Sequence, residues 1–157
     1  MTMHTLFCDT PLGRFRLEEK GGALTRAALL PPGTPEVGVS QPSPLLQEAE
    51  RQLQAYLSGR LRDFDLPVSP QGTPFQREVW AALRTIGWGE LRSYGEVAHA
   101  IGRPKASRAV GMACHHNPIL IVVPCHRVIG AGGTLTGFAC GLDVKRALLR
   151  LEGSLLL

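Results

Sequence analysis

Two capping boxes constrain the second half of this chain to short, sharply started helices. Thr73-Pro74-Phe75-Gln76 and Ser93-Tyr94-Gly95-Glu96 each set a hydroxyl residue three places before Gln or Glu. In such a box the hydroxyl accepts from the N3 backbone N–H, and the N3 side chain returns a bond to the cap. After the first box, Phe75, Val79, Trp80, Leu83 and Ile86 predict an apolar helix face, and Gly87 ends the helix. After the second, Val97, Ala98 and Ile101 predict a short helix closed by Gly102. A third helix is expected over 105–114, so the last two form a helix-turn-helix pattern.

The five apolar residues 119–123 read as a buried extended segment stopped by Pro124, and 127–137 as a glycine-rich hairpin. A final helix over 142–152 is expected to bury Val144, Ala147, Leu148 and Leu151. The first half reads differently. Strands are expected at 4–8, 13–19 and 22–30, followed by a Pro/Gly/Ser-rich loop over 31–44. Ser43 and Pro44 then cap a helix that Gly59 stops, and a short strand is expected at 64–66. The whole predicts an α+β protein of two domains, 1–70 and 71–157.

Composition narrows the class. A chain of 157 residues with 44% hydrophobic and 19% charged residues is globular, not disordered. No apolar run approaches the roughly 20 residues of a membrane span, and the N-terminus lacks a signal-peptide pattern, so a cytoplasmic protein is expected. Residues 1–70 carry seven Lys/Arg against eight Asp/Glu, and residues 71–157 ten against five. All the positive excess lies in the second half, which points to an anionic partner such as nucleic acid. Cys8, Cys114, Cys125 and Cys140 form no CxxC pair, so no zinc ribbon is expected. His115-His116 has no further ligand nearby in sequence and reads as a solvent or phosphate contact.

Val123-Pro124-Cys125-His126-Arg127-Val128 is the stretch richest in chemistry. A thiolate is the reactive form of cysteine, and an adjacent imidazole or positive charge favours it. By itself, Cys-His is a weak signal, because free cysteines are commonly buried packing residues. In context it is not. Pro124-Cys125-His126-Arg127-Val128 resembles the active-site signature of the O6-alkylguanine-DNA alkyltransferases. Ser93-Tyr94-Gly95, Ser107-Arg108-Ala109-Val110-Gly111, Asn117-Pro118, Gly141-Leu142 and Leu151-Glu152-Gly153 match the same family in order and spacing. The segment 9–13 matches its divergent first domain more weakly.

The resemblance implies a small N-terminal ribonuclease H-like α/β domain and a mostly helical, winged-helix-like C-terminal domain. It implies direct-reversal DNA repair, with one alkyl group moved from O6 of guanine, or O4 of thymine, to the protein's own Cys125. His126 would be the base through a bridging water, Glu152 would orient it, and Asn117 would brace the turn before the cysteine. Tyr94 would sit at the pocket mouth, and Arg108 would fill the stack after the nucleotide is flipped out. Ser93, Lys105, Ala106, Ser107, Ala109, Gly111 and Arg127 would contact DNA. Val128, Phe138, Ala139, Cys140 and Cys114 would line the substrate pocket.

No cofactor is implied. The zinc positions of some members are filled here by Met1, Lys20 and Thr25, so no metal is expected. The partner implied is double-stranded DNA carrying O6-alkylguanine, met by a monomer with no membrane role. The alternative weighed is a non-catalytic damage sensor that binds and flips the same base. Relatives of that kind replace the acceptor cysteine, whereas Cys125, His126 and Glu152 all stand here.

Overall fold

The computed structural model describes residues 3–35, 41–135 and 140–154. Phe138 and Ala139, both expected at the pocket wall, lie outside the described residues. The chain divides into two compact units, residues 1–71 with 118–120, and 72–117 with 121–157. The expected division at residue 70 keeps 118–120 with the second half, whereas here that segment belongs to the first unit. No helix among the described residues is long and apolar enough to cross a membrane.

The first unit is an antiparallel meander of β1 (Met3–Thr10), β2 (Gly13–Lys20) and β3 (Ala23–Leu29), covered by helix α1 (Pro44–Leu57). Alternation buries Cys8, Phe15, Leu17, Leu24 and Ala27 against Leu46, Ala49, Leu53 and Tyr56 of α1. Gly21 and Gly22, both at positive φ, make the tight β2–β3 turn whose twist suits a hairpin. Ser43 caps α1, accepting from the Leu46 N–H at 3.2 Å while donating to the Glu19 carboxylate.

No strand forms at 64–66. The buried Gln52 side chain takes the Asp65 backbone instead, donating to its carbonyl at 3.1 Å and accepting from its N–H at 2.9 Å. The extended pairing falls later, where Val68 bridges Leu24. The segment 118–120 adds to β3. The Ala27 N–H donates to the Pro118 carbonyl, and the Leu120 N–H to the Ala27 carbonyl, both at 2.9 Å.

The second unit holds α2 (Pro74–Leu83), β4 (Arg92–Ser93), α3 (Tyr94–Ala100), α4 (Ser107–His115), β5 (Val128–Ile129) and α5 (Leu142–Leu151). Both capping boxes form in full. Trp80 is buried and donates from Nε1 to the Ala113 carbonyl at 2.8 Å, pinning α2 to α4. A Cβ on Gly72 would stand 2.5 Å from Trp80 Cη2. The indole is held by that bond and cannot swing aside. Gly72→Ala should therefore cost about 1–3 kcal/mol, read as a lower urea midpoint at unchanged slope.

Four expectations shift. Helix α2 ends at Leu83, and residues 84–86 continue as tighter turns, with Ile86 N–H bonding Leu83 O. Helix α4 begins at Ser107, because Ala106 offers no capping side chain and its N–H closes a turn onto Arg103 O. The run 119–123 is buried throughout but is not one extended piece. Ile121 sits at φ 73°, a left-handed conformation that is costly for a β-branched side chain, and its burial holds it there. The expected hairpin over 127–137 is not formed among its described residues. β5 pairs in parallel with β4, which a two-stranded hairpin cannot do, and Ala131–Gly133 is a 3-10 turn.

The face of α5 is also rotated. Its buried residues are Lys145, Leu148 and Leu149, and the buried Glu152 caps its end. Val144, Ala147 and Leu151 are half-buried. The inward stripe keeps the i, i+3, i+4, i+7 spacing, with charged residues at both ends.

Candidate active site

Cys125 opens a single 3-10 turn, Cys125–Arg127, directly after Pro124, and is buried. Its backbone N–H bonds the Val123 carbonyl at 2.8 Å. Asn117, just past α4, donates from Nδ2 to that same carbonyl at 2.8 Å and to Cys125 Sγ at 3.1 Å. One amide thus fixes both the turn and the sulfur. Burial pushes the Cys125 thiol up to about 11, opposed by the Asn117 hydrogen bond and the positive charge of Lys145. Cys114 is buried and pushed up to about 12, also chiefly by burial.

His126 and Glu152 are both buried, and the imidazole Nε2 lies 2.8 Å from Glu152 Oε2. The ring nitrogen facing the carboxylate donates, leaving the other as the basic position. Burial holds the His126 pKa below its ordinary value, although Glu152 pulls the other way. Arg127 grips Glu152 with two bonds of 2.8 Å, Nε to Oε1 and Nη2 to Oε2, and donates from Nη1 to the Ile86 carbonyl at 2.5 Å. Arg127 is therefore not placed to meet DNA, because its guanidinium is buried and fully engaged inside the protein. The expected DNA contact is corrected to a clamp on the carboxylate that faces His126.

The sequence reading missed Lys145. It is 1% exposed, donates from Nζ to the Val128 carbonyl at 2.6 Å, and lies 6.0 Å from the Tyr94 ring centroid. Burial lowers its pKa, while the neighbouring Cys125 and Cys114 thiols oppose that shift. The inward spacing of Lys145 with Leu148, Leu149 and Glu152 was the available signal. Cys140 is half-buried and close enough to influence Cys125.

An open groove of about 830 Å³ runs beside α3 and α4. Five predicted residues line it, namely Ser93, Tyr94, Ser107, Arg108 and Gly111. Met112 and His115 line it as well. Lys105 and Ala109 are exposed and Ala106 is half-buried. Val128 is buried, and its carbonyl carries Lys145.

The buried thiols set an alkaline limit on stability. Cys8 and Cys114 stand at about 12 and Cys125 at about 11, against an ordinary 9.0. Above pH 9 the unfolded chain loses thiol protons that the folded chain keeps. Stability should therefore fall between pH 9 and 11, by up to about 1.4 kcal/mol per pH unit for each thiol. The lowered Lys145 acts in the opposite sense over part of that range. Urea midpoints at successive pH values check the fall, and Cys8→Ala should flatten it by about a third.

Fold and site together define a class. This is a two-domain α+β protein whose second unit holds a buried, asparagine-held cysteine, a carboxylate-anchored histidine in the same turn, and an open groove along its helix-turn-helix. Comparison with known proteins makes the class specific. Residues 74–154 match the 6-O-methylguanine DNA methyltransferase DNA binding domain, and residues 3–70 match the ribonuclease-like domain of the same proteins. A methylated-DNA–protein-cysteine methyltransferase of Methanosarcina acetivorans is 62% identical over 108 residues, 69% of each chain. One of Mycobacterium bovis is 49% identical over 160 residues, covering 97% of this chain and 93% of its own. The crystal structure of Mycobacterium tuberculosis OGT in complex with DNA is similar at a TM-score of 0.86 and 49% identity, covering 96% of this chain and 93% of that one. The chain belongs to the O6-methylguanine DNA methyltransferase family.

Proposed function

We propose that this protein repairs DNA by direct reversal, moving one alkyl group from O6 of guanine to Cys125 and then remaining alkylated. The observation that carries this reading is the 2.8 Å His126–Glu152 pair beside a cysteine held at 3.1 Å by Asn117. A thiol pushed up to about 11 is protonated at neutral pH, so it needs a base before it can attack.

His126, polarised by Glu152, takes the thiol proton through a bridging water. The sulfur attacks the alkyl carbon, a C–S bond forms, and the C–O bond to guanine breaks. The departing guanine takes up a proton, and the Tyr94 hydroxyl in the groove is the donor suited to it. The net proton moves from sulfur to guanine. The thioether has no leaving group for a second step, so turnover stops at one.

The base cannot reach a buried sulfur from inside a duplex. It must be extruded, at a cost of a few kcal/mol that is least for a damaged pair. Arg108 on the groove face of α4 fills the vacated stack, and Ser93, Lys105, Ala106, Ser107, Ala109 and Gly111 are the backbone and groove contacts. Cys114, Val128 and Cys140 contribute to the pocket. The partner is double-stranded DNA with O6-alkylguanine. The protein acts as a monomer, in the cytoplasm and on the nucleoid.

Intact-protein mass after incubation with a duplex carrying one O6-methylguanine tests the proposal. One added methylene per protein, mapped to Cys125, is expected. Selective binding to the damaged duplex without any added mass would replace repair with sensing.

A further inference from the structure

Among the described residues, only three large apolar side chains are exposed, Met3, Met112 and Leu142. Met112 is 58% exposed on a helix that buries Val110, Ala113 and Cys114 and otherwise exposes only the small Ala109 among its apolar residues. It lines the same open groove as Arg108, four residues earlier, and His115, three later. Its remaining α4 neighbours in the groove are Ser107 and Gly111, both small.

A surface that docks another protein would gather several apolar side chains. Here a single flexible thioether is ringed by cationic or titratable and small residues, in the half of the chain that holds the positive excess. That pattern suits a partner whose surface is anionic but opens onto apolar slots. The steps between stacked bases are such slots, and methionine is among the side chains that wedge into them from the minor groove. A four-residue offset along a helix is about 6 Å, close to two base steps of about 3.4 Å.

We propose that Met112 is a second DNA-engaging side chain of α4, an apolar wedge that packs against the base step next to the gap Arg108 fills. This rests on the reading of the α3–α4 groove as the DNA-binding face. Arg108 supplies charge and occupies the vacated position. Met112 supplies unstacking of the neighbouring step, and its unbranched chain adapts to whichever bases flank the lesion.

The test uses the full-length protein and two duplexes, one with O6-methylguanine and one undamaged. With the damaged duplex bound, peroxide should oxidise Met112 about tenfold more slowly than in free protein, while the exposed Met3 serves as an unprotected control. Met112→Ala should weaken duplex binding by about tenfold at every salt concentration, and Met112→Leu should restore it. The slope of affinity against salt should not change, because no counterion is released by an uncharged group. Methyl uptake from free O6-methylguanine should be the same in all three proteins.

If DNA-bound protein oxidises Met112 as fast as free protein, or if Met112→Ala binds duplex as the parent does, the wedge is overturned while repair stands. If the parent protein neither binds nor is alkylated by the damaged duplex, the proposed function falls and the wedge falls with it.

Discussion

Cys125→Ser protein should bind damaged duplex within about threefold of the parent and take up no methyl group. Serine fits the same turn, and its oxygen can still accept the Asn117 amide bond that now reaches Sγ at 3.1 Å. The protein surface that faces DNA is untouched by this buried change. Reactivity is another matter. An alcohol is a far weaker nucleophile than a thiol near neutral pH, and the single base here serves a proton that sulfur gives up much more readily. Transfer should drop by about three orders of magnitude or more. Intact mass and peptide mapping give the result directly. A methyl group found on Cys114 or Cys140 of the variant would move the acceptor and sink the assignment.

The same buried state predicts how the parent behaves without DNA. With the thiol pushed up to about 11, iodoacetamide should modify Cys125 slowly at pH 7 and faster as pH rises through 9.

What the sequence disclosed, and what it hid, divides by the range of the interaction. Both capping boxes are local, involving residues three apart, and both were legible and formed. So was the Ser43 cap of α1. The α5 face was misread because apolar periodicity assumes that the inward stripe is apolar, and this stripe begins at Lys145 and ends at Glu152. Those charges are buried because other segments supply their partners, the Val128 carbonyl for one and Arg127 with His126 for the other. The spacing within α5 could mark the stripe but not name those partners. Arg127 was misread for the same reason, since an arginine beside a reactive cysteine in a basic domain looks like a phosphate contact until Glu152 and Ile86 arrive from distant positions. The parallel pairing of β5 with β4 joins residues far apart in sequence, whereas the glycines around it suggested a local hairpin. Cys125, His126 and Glu152 were marked by the family resemblance, and the structure buries all three. The supporting roles of Arg127 and Lys145 were not legible.

Arg127→Met and Glu152→Gln should each destabilise the protein by about 3–5 kcal/mol, because each leaves an uncompensated partner in a dry interior. Urea denaturation measures the loss. The double variant, Arg127→Met with Glu152→Gln, should recover part of it, since neither unpaired charge then remains. A structural role alone would make the two single variants look alike in function as well. A role in setting the protonation of His126 would separate them. Glu152 raises the His126 pKa and Arg127 lowers it, around a ring that burial already holds below its ordinary value. Lys145, also facing this site, lowers it as well. Removing Glu152 therefore leaves the imidazole harder to protonate, and removing Arg127 leaves it easier. The acid limb of the pH–rate profile for alkyl transfer should move to lower pH in Glu152→Gln and to higher pH in Arg127→Met. Both are expected to be slower overall, since each loosens the ring's orientation. Movement of the two limbs in the same direction would show that the buried cluster only holds the fold. Movement in opposite directions requires that the Arg127–Glu152 clamp sets the protonation of the base that serves Cys125.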